Sequence, residues 1–154
     1  MAIAHIRRSA LALSGRTGSN LRSTHQRPRL ISTFVRLLAL RGATTCAEDS
    51  KEEIETKTQA LVQAMLERNE VMHDDLVSII FTATDDLTAE FPATAARALG
   101  LGDVPLICAR ELGITHGMPH TIRVMMHFYG EQSRKELHHV YLEGTRALRD
   151  DLPE

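Results

Sequence analysis

TIRVMMHFY, residues 121–129, is the stretch on which the reading of this chain turns. Ile122, Val124, Met126 and Phe128 fall on one side of an extended backbone, and Arg123, Met125, His127 and Tyr129 on the other. Period-two alternation marks a β-strand with one buried face. Arg123 stands out, because it places a permanent cation with a planar fork of donors on an otherwise apolar strand. A guanidinium held by a strand implies an anion to meet it and further groups to fix that anion in one pose.

Working outward from this strand, three further apolar runs predict strands: residues 34–41 (FVRLLALR), 76–84 (LVSIIFTAT) and 104–108 (VPLIC). Residues 139–143 (HVYLE) predict a fifth. Gly42 ends the first run and is read as the point where the chain turns. Ser50-Lys51-Glu52-Glu53 is a capping box that opens a helix to about Asn69, with Ile54, Leu61, Val62, Met65 and Leu66 on one face. Phe91-Pro92 starts a short helix from Ala93 to Leu99, closed by Gly100. A helical turn is expected in the polar segment after Gly130, and residues 147–154 form a tail.

The order strand, helix, strand, helix, strand, strand, strand predicts an α+β domain: a mixed β-sheet with its helices on one face. Two helices cannot cover both faces of five strands. The other face, carrying Met125 and the residues around Leu142, is therefore expected to meet another subunit.

Composition narrows the function. With 154 residues, 43% apolar and 25% charged, the chain suits a single domain with a real core. No apolar run reaches the length of a membrane span. Cys46 and Cys108 are the only cysteines, too few for a disulfide framework and in keeping with a reducing, cytoplasmic compartment. Charge is uneven. Residues 1–41 hold eight arginines and no acid, whereas residues 42–154 hold ten basic residues against all 20 acidic ones, a balance of −10. An acidic domain is a poor nucleic-acid binder, but a small anion can still be held where a few arginines converge. Residues 1–33, rich in Arg, Ser and Ala, read as a disordered extension, an upstream start or an organelle transit peptide; the domain is assigned to residues 34–154.

Several side chains are candidates for chemistry. Arg41, Arg97, Arg123 and Arg149 each lie in or at the end of a different element, and together they suit a substrate with two carboxylates. Cys108 and Glu111 are three apart past a strand end, able to meet a ligand hydroxyl, although a core thiol and a solvated loop acid explain them equally. Tyr141 is one of two tyrosines, its hydroxyl either aimed at a polar site or structural. His116 and His120 are four apart, but Gly117 and Pro119 exclude the helix that would make that spacing a metal site. No phosphate-cradling loop, dinucleotide fingerprint or catalytic triad is present in the sequence.

Taken together, RGATT (41–45), FTATDDLTAEFPATAAR (81–97), VPLICARE (104–111), IRVMMH (122–127) and HVYLEGTRALRDDL (139–152) resemble the monofunctional chorismate mutases of the AroH class, the Bacillus type, over roughly residues 35–152. The resemblance implies a homotrimer forming a pseudo-α/β barrel with active sites at subunit interfaces. It implies conversion of chorismate to prephenate on the route to Phe and Tyr, without cofactor or metal. It places Arg123 at the ether oxygen of the breaking bond, Glu111 and Cys108 at the ring hydroxyl, and Arg41 and Tyr141 at the side-chain carboxylate. Phe91, Ala93 and Leu148 are implied as walls, with Arg97 and Arg149 near the mouth. The chain departs from that pattern at Thr94, where Lys is frequent, and at Asp85 and Asp150, where Pro is frequent. Extra negative charge there implies a raised KM rather than lost chemistry. The rival reading is a non-catalytic trimeric binding module for small carboxylates.

Overall fold

A computed structural model describes residues 34–149; residues 1–33 and the end of the chain, with Asp150 and the side chain of Arg149, lie outside the described residues. Five strands and two helices follow in the expected order: β1 (Arg36–Thr45), α1 (Lys51–Arg68), β2 (Leu76–Ala83), α2 (Pro92–Ala98), β3 (Leu106–Arg110), β4 (Thr121–Gly130) and β5 (Val140–Tyr141). Short 3₁₀ segments precede β2 (His73–Asp75) and follow β5 (Glu143–Arg149).

The strands form one mixed sheet in the order β3-β2-β4-β1-β5. β4 lies at its centre, antiparallel to both β1 and β2, while β2 pairs with β3 and β1 with β5 in parallel. The alternation of β4 is realised: Ile122, Val124, Met126 and Phe128 are all buried and face the helices. Leu38 and Leu40 of β1 and Ile79 and Phe81 of β2 join them against Leu61, Val62 and Met65 of α1 and Ala93 and Ala96 of α2. The opposite face carries Leu37, Ile80, Ile107 and Tyr129, all exposed in a single protomer.

Four expectations need correction. Gly42 does not turn the chain. β1 runs straight through it to Thr45, and Gly42 pairs with Val124 in mid-strand. Its role is spatial: a Cβ there would collide with Met65 Sδ and stand 3.1 Å from Leu61 Cδ1, so glycine is what lets α1 pack close to β1. In the capping box, Ser50 Oγ accepts from Glu53 N at 3.3 Å, but the Glu53 carboxylate accepts from Ala47 N at 2.9 Å rather than from the cap itself. Finally, the last strand is only two residues long, and the polar segment after Gly130 makes turns rather than helix. Parallel pairing to β1 ends where Leu142 N bonds Ala43 O and Thr145 Oγ1 bonds the same carbonyl at 2.9 Å. Glu143, at φ 50°, bends the chain into the 3₁₀ segment there.

Candidate active site

Two cavities hold most of the predicted site residues, and they lie on opposite faces of the sheet. The first, about 450 Å³, opens on the helix-free face beside Arg41, Thr82, Arg123, Tyr141 and Leu148. Strand register explains the grouping. Ala43 of β1 lies opposite Arg123 of β4 and beside Tyr141 of β5, and Thr82 of β2 lies opposite Arg123 on its other side. Arg41 sits two residues from Ala43, hence on the same face. Four strands thus aim a phenol and two guanidinium groups into one space. Leu148 reaches it because the 3₁₀ segment is tied down by three contacts: Thr145 to Ala43, Gly144 N to Thr45 Oγ1 at 3.1 Å, and Lys57 Nζ to Glu143 Oε1 at 2.7 Å.

Arg123 is held from behind. Its Nε lies 2.8 Å from Glu111 Oε1. Glu111 is in turn fixed by Thr82 Oγ1, which donates to Oε2 at 3.3 Å, and by its own N–H to Ala83 O at 3.0 Å. The ion pair is close, yet the Nε–H is not aimed at the carboxylate oxygen. Among the described residues this buried nitrogen has no hydrogen-bond acceptor. Glu111 and Arg123 also border a smaller cavity of about 380 Å³ under the loop between β3 and β4.

The second cavity, about 490 Å³, lies on the helix side, between β3 and the approach to α2, beside Ala83, Asp85, Glu90, Phe91, Cys108 and Arg110. Phe91 is 68% exposed there, a large apolar ring without cover. Cys108 pairs with Phe81 in the parallel β2–β3 ladder, which puts its thiol on this face. Arg97 is exposed on α2. Ala93 borders neither of these two cavities: it is 4% exposed and packs in the core, where its small size serves the approach of α2 to the sheet.

Carboxylates hold this second region together. Asp49, from the β1–α1 connection, accepts from Thr88 N (2.8 Å), Thr88 Oγ1 (2.7 Å) and Ala89 N (2.9 Å). The Thr88 hydroxyl and the two amides keep its carboxyl below the usual range. Glu90 accepts from Phe91 N at 2.8 Å and Thr94 Oγ1 at 3.2 Å, with Lys51 Nζ 3.7 Å away. The Phe91 amide, with Thr94 and Lys51, lowers it as well. Asp86 is partly buried, which opposes its charge, but the Thr84 hydroxyl and the His120 amide outweigh that and keep it low. Asp85 chelates the Arg110 guanidinium through Nε and Nη2. Thus Asp85 is no free negative charge at the mouth. Its expected penalty on anion capture is offset by a cation that alternation alone could not assign to it. Cys46, in contrast, is sequestered: burial, then Glu53, push its thiol up to about 11.

Sequence reasoning therefore missed Thr82, Asp49 and Arg110. Thr82 had a usable signal, since it precedes the strand end by one residue and alternates onto the face of Arg123. The other two act across connections far apart in the chain, for which no local pattern exists.

The subunit is α+β, with two arginines on the helix-free sheet face and an uncovered aromatic ring on the other side. Comparison with known proteins gives the family. The family model described as "Chorismate mutase type I" matches residues 37–152. Curated relatives include "Chorismate mutase AroH" of Thermus thermophilus, 41% identical over 73% of this chain and 93% of that protein, and its namesake in Bacillus subtilis, 42% identical over 73% and 90%. A solved chorismate mutase from Clostridium thermocellum superposes with a TM-score of 0.70 at 43% identity, covering 71% of this chain and 98% of that one. The chain belongs to the type I chorismate mutase family.

Proposed function

We propose that the protein converts chorismate to prephenate at active sites that each join the Arg123 cavity of one protomer to the Phe91 cavity of the next in a homotrimer. The observation that carries this reading is the convergence of Arg41, Arg123 and Tyr141 on one cavity of the helix-free face, with Arg123 braced by Glu111 at 2.8 Å. The division of the site supports the trimer. Ile80 and Thr82 border one cavity and Ala83 the other, on opposite faces of β2, so one small ligand cannot touch both within a protomer. The exposed apolar side chains of the helix-free face offer the surface for association.

The rearrangement is unimolecular. One carbon–oxygen bond breaks, one carbon–carbon bond forms, and six electrons shift within the ring of reacting atoms. No proton leaves, no nucleophile adds and no external electrons are needed. Two tasks remain for the chain. Arg41 and Tyr141 grip the side-chain carboxylate, with Leu148 as a wall, so that the substrate is held in its compact reactive conformer. Arg123 lies against the ether oxygen, which gathers negative charge as its bond to carbon lengthens. A fixed cation there binds the transition state more strongly than the ground state. Glu111 has a second role beside its proposed contact with the ring hydroxyl: it sets the direction of the Arg123 fork. From the neighbouring protomer, Phe91 covers the ring and Cys108 meets the hydroxyl side, with Arg97 at the rim; the resemblance assigns Arg149, whose side chain lies outside the described residues, to the mouth.

The test is direct. Purified protein is mixed with chorismate and the loss of its ultraviolet absorbance is followed, with prephenate identified as product. Sustained turnover by a trimer, measured by light scattering, supports the proposal. Saturable binding without turnover would turn the protein into a carboxylate-binding module.

A further inference from the structure

We propose that Arg110 is a substrate-binding residue on the Phe91 side of the site, taking a carboxylate of the substrate, and that Asp85 orients it and moderates its pull. This rests on the two-protomer site above.

Three observations lead to it. First, Arg110 is two residues from Cys108 on the same face of β3 and borders the same cavity as Phe91. Second, other charges there are already engaged. Glu90 is taken up by the Phe91 amide, Thr94 and Lys51, and Asp85 faces Arg110 itself. Thr94 presents its hydroxyl to Glu90 and no positive charge to a ligand. Third, Asp85 grips the guanidinium along its Nε–Nη2 edge only. A guanidinium has five N–H donors, so the Nη1 side remains for another acceptor, and the side chain is 76% exposed and borders the cavity. The Asp85 clamp also restricts the long side chain before any ligand arrives, which lowers the entropy lost on binding.

The arrangement adds to Arg97 of α2 a second cation on this side, delivered from β3 and tempered by a carboxylate. Asp85 should therefore weaken the attraction while sharpening its direction.

The signs of two substitutions separate this from a structural ion pair. Arg110→Ala removes the donor, and KM for chorismate is expected to rise about threefold to tenfold with kcat nearly retained. Asp85→Asn removes the tempering charge, and KM is expected to fall about twofold to threefold, with a steeper rise of KM on adding salt than in the wild type. Arg110→Lys keeps the charge and loses the fork, so its KM should lie between those of wild type and Arg110→Ala. A purely structural pair predicts that Arg110→Ala and Asp85→Asn shift KM in the same direction, and that result would overturn the proposal. So would an unchanged KM for Arg110→Ala. Phe91→Ala is measured alongside. If it raises KM while Arg110→Ala does not, only the Arg110 role is lost; if neither has an effect, the two-protomer site itself is wrong.

Discussion

The two cavities are built by different means. Around Arg123, position comes from the sheet: β1, β2, β4 and β5 hold Arg41, Thr82, Arg123 and Tyr141 by register, and moving any one of them requires breaking a ladder of backbone hydrogen bonds. Around Phe91, position comes from side chains: Asp49, Asp85, Asp86 and Glu90 brace the connection between β2 and the seven-residue α2. The difference matches what the proposed function asks of each region. Electrostatic stabilisation of a transition state depends on a charge that does not reorganise as the bond breaks, and a central strand provides that. Enclosing a substrate depends on closing and reopening, for which a braced connection suffices.

This contrast fails at once if the sheet-borne cation is dispensable. Arg123→Ala is expected to lower kcat at least about 10³-fold, with Arg123→Lys recovering only a small part because the donor fork is lost. A loss confined to KM would show that both cavities serve binding alone, and the comparison would collapse. Subunit mixing tests the same division in the opposite sense. Arg123→Ala and Phe91→Asp protomers, each nearly inactive alone, are unfolded together and reassembled. If each site takes one cavity from each of two protomers, then about a quarter of the sites in randomly mixed trimers combine two intact halves. Recovered activity near that fraction of wild type supports the proposed assembly; no recovery would mean that each protomer carries a complete site.

A smaller effect sharpens the distinction. Asp49 borders neither of the two cavities, yet its three hydrogen bonds fix Thr88 and Ala89, three and two residues before Phe91. Asp49→Ala is expected to raise KM about fivefold and to change kcat less than twofold, whereas Asp49→Asn, which keeps one oxygen for the two amides, should stay near wild type. An equal fall in kcat would instead show that the braced connection takes part in the chemical step.

How much of this could be read beforehand depends on the range of the interaction. β4 was readable because alternation is local, and Arg123 stood out within nine residues. The helices announced themselves through Ser50, Pro92 and Gly100 for the same reason. Gly42 was misread because its constraint comes from Met65 and Leu61, more than a helical turn of sequence away on α1. The last strand was read too long, since apolar pattern says nothing of where a parallel partner stops. Arg41, Arg123 and Tyr141 were nameable singly, but their convergence is set by ladder register between strands up to a hundred residues apart. Asp85 shows the limit most clearly. It looked like a stray negative charge until the parallel pairing of Ala83 with Arg110 set a guanidinium beside it.

The weakest expected effect follows from which groups titrate. Asp49, Asp85, Asp86 and Glu90 all have carboxyls held below their ordinary values, and all four brace the Phe91 region. A depressed folded value means that the unfolded chain takes up protons first. The stabilisation is therefore fully present above about pH 4, the unfolded carboxylate range, and fades as pH falls through the lower folded values. The strands that carry Arg41, Arg123 and Tyr141 are set by backbone ladders, which carry no such dependence, although the Lys57–Glu143 pair that ties down the Leu148 segment does. Acidification should then loosen the connection before α2 ahead of the sheet, and amide hydrogen exchange at the Thr88, Ala89 and Phe91 N–H groups should accelerate, relative to the intrinsic rate at each pH, before that of the β4 amides. Loss of protection in both regions at the same pH would mean that the carboxylate bracing is not what holds the Phe91 wall, and that the whole subunit yields as one unit.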